Sequence, residues 1–232
     1  MMKTQHKLCK FENKTLLERQ LSEQITQILQ AAILARGQAS LVVSGGQTPV
    51  GLFKLLSQAS LDWSKVWITL ADERWVPPTD LASNEAMVRE HLLQHQAAQA
   101  HFIPLWQAGH PSDVIPQLEK SLHAITAYPF DVVVLGMGLD GHTASWFPCS
   151  AEIKQLWQQE SYVATVQPQT AEHLRMTFTP KALLNAKNKF IHVVGQSKLD
   201  VLEQACKEPC VDLMPIRAVL EQEDVCVFWS LS

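Results

Sequence analysis

Residues 41–56 read LVVSGGQTPVGLFKLL: an apolar run, a Gly-Gly turn, then apolar positions at helical spacing. The run Ser40-Leu41-Val42-Val43 shows no polar alternation, so a strand covered on both faces is expected. Pro49 suits the first position of a helix, where its missing N–H is not needed, and this puts Thr48 at the N-cap. Gly45 and Gly46 let the backbone wrap tightly and approach a ligand. The helix start supplies unpaired N–H groups and the positive end of a dipole, a setting that suits an anion, and Ser44 and Thr48 add hydroxyl donors. Spacing alone fits an ordinary strand-to-helix turn equally well. No lysine follows the glycines in the Walker position.

Outward from this unit the pattern repeats. Leu17, Leu21, Ile25, Ile28 and Ala32 recur at steps of four, four, three and four, which predicts a helix over Lys14–Arg36, with Asn13 as N-cap and Gly37 as its stop. Downstream, Val66–Leu70 reads as a buried strand, followed by a proline-bearing loop and a helix from Asn84 to about Gln94. A helix over roughly Asp113–Ala127 leads to the strand Asp131–Leu135. Three more strands are expected at Tyr162–Val166, Leu174–Phe178 and Phe190–Val194, then a helix over Ser197–Cys206 and a last strand at Val225–Trp229. Apolar strands separated by helices predict an α/β protein: a single domain over residues 1–232, three layers α/β/α, with a mostly parallel sheet.

Composition narrows the function. Among 232 residues, 47% are hydrophobic and 18% charged, enough for a sizeable core, and the net charge of -4 argues against nucleic-acid and membrane-surface roles. No apolar run reaches the ~20 residues of a membrane helix. The opening MMKTQHKLCKFENK lacks the apolar stretch of a signal peptide. Five cysteines form an odd, scattered set that suits a reducing compartment, so a cytoplasmic protein is expected. Cys206 and Cys210 are read as plain thiols, since no second pair stands nearby. His91 and His95 lie four apart on an expected helix, but the glutamate of a zinc-protease motif is missing and they read as surface residues. No metal site is expected.

Two loops carry chemistry. ADERWVPPTDLASN (71–84) follows a strand at its carboxyl end, where open α/β sheets place ligands. Asp72, Glu73 and Arg74 stand together there, and a held arginine suits a phosphate or a developing oxyanion. Ser83 reads first as the N-cap of the next helix, with Asn84 as its first residue. FDVVVLGMGLDGHTASWFP (130–148) holds G-x-G-x-x-G in Gly136, Gly138 and Gly141. A dinucleotide turn needs a helix there, and Pro148 cuts one short. Asp140 and His142 flank Gly141 instead, a carboxylate–imidazole pair of the kind general acid–base catalysis uses. Arg175, inside an expected strand, needs an anionic partner. Lys198, at a helix start, opposes the dipole unless an anion lies between.

Taken together, SGGQTP, LADERWVPPTDLASN, VLGMGLDGHTASWFP, RMTFTP and VVGQSK resemble the 6-phosphogluconolactonases in order and spacing, over about residues 10–230. The related glucosamine-6-phosphate deaminases carry DGHIAFNEP, with a relay glutamate. This chain has Ala144-Ser145-Trp146-Phe147-Pro148 at that place, with no carboxylate. The resemblance implies the deaminase/lactonase fold and hydrolysis of 6-phospho-D-glucono-1,5-lactone to 6-phosphogluconate, the second step of the oxidative pentose phosphate pathway. It implies no cofactor, no nucleic-acid or membrane partner, and a monomer or weak homodimer. By position it implies a 6-phosphate held by Ser44, Gly45, Gly46, Thr48, Arg175 and Lys198, with Gly138 and Asn84 also in contact with substrate. His142, oriented by Asp140, would be the base, and Arg74, held by Asp72, would meet the oxyanion. Trp146 stands where lactonases more often carry Leu, a change expected to touch pocket shape. A sugar-phosphate isomerase or deaminase, or a non-catalytic sugar-phosphate sensor, are the competing readings.

Overall fold

The computed structural model describes residues 6–124 and 128–232. The chain opens with β1 (Lys7–Phe11), α1 (Lys14–Arg36), β2 (Ala39–Val43), α2 (Val50–Ser57) and β3 (Val66–Leu70). There follow β4 (Asp72–Arg74), α3 (Asn84–His91), β5 (His101–Ile103), α4 (Pro111–Ala124) and β6 (Val132–Leu135). The second half runs α5 (Ile153–Leu156), β7 (Val163–Val166), β8 (Arg175–Phe178), α6 (Pro180–Leu184), β9 (Asn188–Val194), α7 (Gln196–Lys207), α8 (Ile216–Leu220) and β10 (Val225–Ser230). The expected end of α4, residues 125–127, lies outside the described residues.

Seven strands form one parallel sheet in the order β1-β10-β9-β6-β2-β3-β5. Every residue of β2 and of β6 is buried, as continuous apolar runs require of strands covered on both faces. Right-handed crossovers then settle the layers. The chain moves one way along the sheet from β1 through β2 and β3 to β5, which puts α1 and α2 on one face, where they pack on each other. It moves the other way from β5 to β6, β9 and β10, which puts α4 and α7 on the opposite face. The reversal falls between the adjacent strands β2 and β6. Their carboxyl ends therefore open a crevice, the place where such sheets bind ligands.

Local signals placed most elements. The Asn13 side chain accepts the Leu16 N–H at 3.0 Å, and Gly37 ends α1 in the left-handed region. The differences are instructive. The expected strands at 162–166 and 174–178 do not join the main sheet; as β7 and β8 they pair antiparallel with each other, and β8 pairs antiparallel with β4. The short link between them permits an antiparallel return, whereas a parallel pair needs a long crossover. β4 lies within what reads as loop. The edge strands β1 and β5 were not expected: β1 is polar and largely exposed, β5 is only three residues long, and both are ordinary ways to blunt a sheet edge. His91 ends α3 and His95 opens a separate 3-10 turn at φ 48, so the two do not share a helix face.

At the amino end of the sheet, away from the crevice, Asp131 is 1% exposed and gathers four elements. It pairs with Arg36 at the end of α1, with Lys187 Nζ at 2.9 Å before β9, and with the Ser40 N–H of β2 at 3.0 Å, from its own place beside β6. Asp131→Ala should lower unfolding free energy by about 2–3 kcal/mol, because one buried N–H and two cations lose their acceptor while both cations can still reach water. Urea denaturation should show a lower midpoint with an unchanged m value.

Candidate active site

A cavity of about 590 Å³ lies over the carboxyl ends of β2, β6 and β9. All twelve residues nominated from sequence line it: Ser44, Gly45, Gly46, Thr48, Asp72, Arg74, Asn84, Gly138, Asp140, His142, Arg175 and Lys198. Residues 44–48, 138–142 and Lys198 meet because β2, β6 and β9 are neighbours in the large sheet, while Asp72, Arg74 and Arg175 come from β4 and β8 and Asn84 from the start of α3.

The turn after β6 holds the acid–base pair. No helix opens at Gly141; the next one starts at Ile153, so the dinucleotide geometry is absent. Asp140 Oδ1 meets His142 Nδ1 at 2.6 Å and also accepts the His142 backbone N–H at 3.1 Å. Burial works against the Asp140 carboxylate, but the hydrogen bond and charge of His142 outweigh it and hold the carboxyl below its ordinary value. Gly138 sits directly beneath the pair. A Cβ there would stand 2.1 Å from His142 Nδ1 and 2.4 Å from Asp140 Oδ1, closer than atoms can pack. After His142 the chain reverses through Thr143–Trp146, with Ala144 at φ 47. This turn is anchored at every side: Thr143 Oγ1 donates to Gly136 O at 2.8 Å, Ser145 Oγ to Asp72 Oδ2 at 2.5 Å, and Trp146 Nε1 to Phe178 O at 2.8 Å. Trp146 is fully buried and outside the cavity wall, so it shapes the core, not the pocket.

The strand β4 carries the acidic-aromatic motif. Strand alternation turns Asp72 and Arg74 to one side and Glu73 to the other. Glu73 is 0% exposed and accepts four hydrogen bonds, from the N–H groups of Arg74 (2.6 Å), Asn84 (2.8 Å) and Glu85 (2.7 Å) and from Ser83 Oγ (3.0 Å). It thus satisfies the orphan donors at the start of α3, while Ser83 caps Ala86 as expected. Burial pushes the Glu73 carboxyl up, and its four donors pull it partly back. The sequence marks Glu73 as one of three adjacent charges but not as a clamp, because 71–84 reads as loop; read as a strand, alternation sends Glu73 inward.

One expected contact is replaced here, and Asn84 has structural partners as well as a place in the cavity lining. Asp72 does not hold Arg74: its carboxylate takes the Ser145 hydroxyl, and the Arg74 guanidinium donates instead to Ala82 O at 2.6 Å. Asn84 is buried, and its amide donates to Asp72 O at 2.9 Å. Its side-chain oxygen closes against Gly45, where an added Cβ would come within 1.9 Å. Asn84 therefore joins the two loops and stands at the cavity wall as part of the frame.

Two further cations line the same cavity. Helix α2 starts at Val50, one residue later than expected. Pro49 takes the cap position, its carbonyl receives the Phe53 N–H at 2.8 Å, and Thr48 lies in the preceding turn without a side-chain cap bond. Proline has no N–H to distinguish the two positions, so the sequence could not fix the start more closely. Arg175 on β8 is 8% exposed, its Nε has no hydrogen-bond partner, and it forms no ion pair among the described residues. Burial lowers its proton affinity and the field of Asp72 offsets part of that. Lys198, third residue of α7, donates to Met137 O at 2.6 Å; burial lowers its proton affinity too, opposed by Asp140. Among the described residues no group of three or more His, Cys, Asp or Glu side chains could hold a metal ion, and no helix is long and apolar enough to cross a membrane.

The chain is similar to known proteins in sequence and in fold. The family model described as glucosamine-6-phosphate isomerases/6-phosphogluconolactonase matches residues 12–229. A 6-phosphogluconolactonase of Rhizobium meliloti (strain 1021) is 41% identical over 224 residues, covering 95% of this chain and 97% of that protein. One from Pseudomonas aeruginosa is 40% identical over 205 residues, covering 87% and 86%. The crystal structure of a 6-phosphogluconolactonase from Shewanella baltica superposes with a TM-score of 0.92 at 47% identity, covering 99% of this chain and 100% of that one.

Gly138→Ala should separate the Asp140–His142 pair while leaving the fold intact, since the three atoms nearest the added methyl are all side-chain atoms of that pair. A crystal structure of the variant should show the Nδ1–Oδ1 distance beyond 3.5 Å, the limit of a hydrogen bond. A pair unchanged at 2.6 Å would contradict the packing described.

Proposed function

Because the chain belongs to the family of glucosamine-6-phosphate isomerases and 6-phosphogluconolactonases, we propose that its cavity hydrolyses 6-phospho-D-glucono-1,5-lactone to 6-phosphogluconate. The observation that carries this reading is that one cavity holds both a hydrogen-bonded Asp–His pair and the cations Arg175 and Lys198, which have no carboxylate ion-pair partner among the described residues. A sugar that carries both an ester and a phosphate would use both kinds of group.

In this reading Asp140 accepts the Nδ1–H of His142, which leaves Nε2 free as base. Nε2 takes a proton from water as the water oxygen bonds to C1 of the lactone. The carbonyl π pair moves to oxygen, and Arg74 meets that charge; a well-aimed donor of this kind is worth roughly 3 kcal/mol. On collapse the C1–ring oxygen bond breaks, and the departing oxygen receives the proton from His142, giving a hydroxyl and a carboxylic acid that ionises. General acid–base help of this sort contributes about 10²–10⁴ in rate. Asp72 is tied to Ser145, and its field acts on Arg175. The phosphate lies against Ser44, Gly45, Gly46 and Thr48 at the start of α2, with Arg175 and Lys198 beside it, and contributes remote binding energy. Gly138 and Asn84 complete the wall. The chain acts as one domain, as a monomer or weak homodimer in the cytoplasm. Five unpaired cysteines support that compartment.

The direct test offers freshly made 6-phosphogluconolactone and glucosamine 6-phosphate side by side in coupled assays; turnover of the second alone would overturn the proposal. His142→Ala should lower kcat at least 100-fold while leaving 6-phosphogluconate binding intact. Lys198→Ala should lower kcat/KM for the phosphorylated lactone by roughly 10- to 150-fold, the size of a charge-assisted contact, and hardly change that for gluconolactone. Equal losses on both substrates would remove Lys198 from the phosphate site.

A further inference from the structure

We infer that Phe147 is a positioning residue whose ring holds the imidazole of His142 and the guanidinium of Arg175 in fixed register, one ring serving both ends of the site. The inference rests on the lactonase reading of the cavity. Its basis is the reverse turn Thr143–Trp146, closed by Trp146 N donating to Thr143 O at 3.0 Å. Residues flanking so tight a turn leave it side by side, like a cross-strand pair. His142 and Phe147 are those residues, and their rings stack with centroids 4.2 Å apart and planes 28° from parallel.

Asp140 alone under-determines the imidazole. A single hydrogen bond at Nδ1 fixes a point and leaves the ring free to rock about the Nδ1–Oδ1 line, which swings Nε2 across the cavity. A flat partner against the ring face removes that motion. Phe147 can act so because it does not move itself: it is 6% exposed, its carbonyl accepts from Ser150 N at 3.1 Å and Ser150 Oγ at 3.0 Å, and the turn before it is pinned through Thr143, Ser145 and Trp146. Arg175 also lies over this ring, its Cζ 5.9 Å from the ring centroid. With Nε unpartnered, Arg175 is located by that ring and by the charge of Asp72. An aromatic face also attracts cations, so the ring favours the guanidinium at all times and the imidazolium once His142 has taken its proton.

The test compares Phe147→Leu, which keeps apolar bulk without a flat face, with Phe147→Tyr, which keeps the face. Phe147→Leu should lower kcat about 10-fold on both the phosphorylated and the unphosphorylated lactone, through His142. It should also raise KM severalfold for the phosphorylated lactone alone, through Arg175, so that the preference for phosphate falls. Phe147→Tyr should restore both. A residue that merely fills space would leave the preference unchanged. The stack is read independently of activity from the ring protons of His142 by NMR: wild type should show an upfield ring-current shift that Phe147→Tyr keeps and Phe147→Leu loses. Wild-type kcat and preference in a folded Phe147→Leu protein would overturn the inference. So would the absence of that shift in wild type, which decides the matter even if the leucine variant does not fold. A wild-type protein that shows the shift but hydrolyses neither lactone would sink the lactonase reading and leave the stack standing.

Discussion

The buried carboxylate of Glu73 is the constraint on which the site's architecture depends. A carboxylate without water survives only when its oxygens are filled, and here four donors fill them. Three belong to the first residues of α3 and its cap, so the strand β4 and the helix α3 are locked end to side. With Glu73 turned inward, alternation must turn Asp72 and Arg74 outward to the cavity. Asn84, held in the same clamp, then reaches Asp72 O and closes on Gly45, which allows no side chain there. The acidic loop and the glycine turn thus meet through one buried amide.

From Asp72 the constraint passes onward. Its carboxylate takes the Ser145 hydroxyl, which anchors the turn carrying His142 and Phe147. β4 also pairs with β8, register Arg74 to Arg175, and this brings the second arginine over the crevice. The small antiparallel sheet is therefore a device for delivery. The large parallel sheet supplies turns at its carboxyl ends, and the small one adds side chains from above that no strand of the large sheet could present. Two arginines face one another across that pairing, and their repulsion is tolerated beside Asp72 and Glu73. A bound dianion would relieve it further, which fits an acidic protein whose cavity nonetheless gathers Arg74, Arg175 and Lys198.

Much of this was legible from residues alone. The apolar runs of β2, β3, β6, β9 and β10, the caps Asn13 and Ser83, the stop at Gly37 and the Asp140–His142 pair are each decided within a few residues. Burial pattern, capping and a two-residue turn are local physics, and local physics is written in local sequence. The same holds for the parallel sheet, because continuous apolar strands separated by helices have few other ways to fold.

The tertiary structure alone decided the rest. Strands of three residues such as β4 and β5 are too short to show a period, so nothing marked Glu73 as an inward clamp or 71–84 as more than loop. The partner of Asp72, the removal of Trp146 to the core, and the separation of β7 and β8 from the main sheet depend on contacts between segments tens of residues apart. So does the meeting of His142 and Arg175 at the ring of Phe147. Such contacts follow from strand order and crossover handedness, which place whole elements and leave no mark on any one stretch of chain.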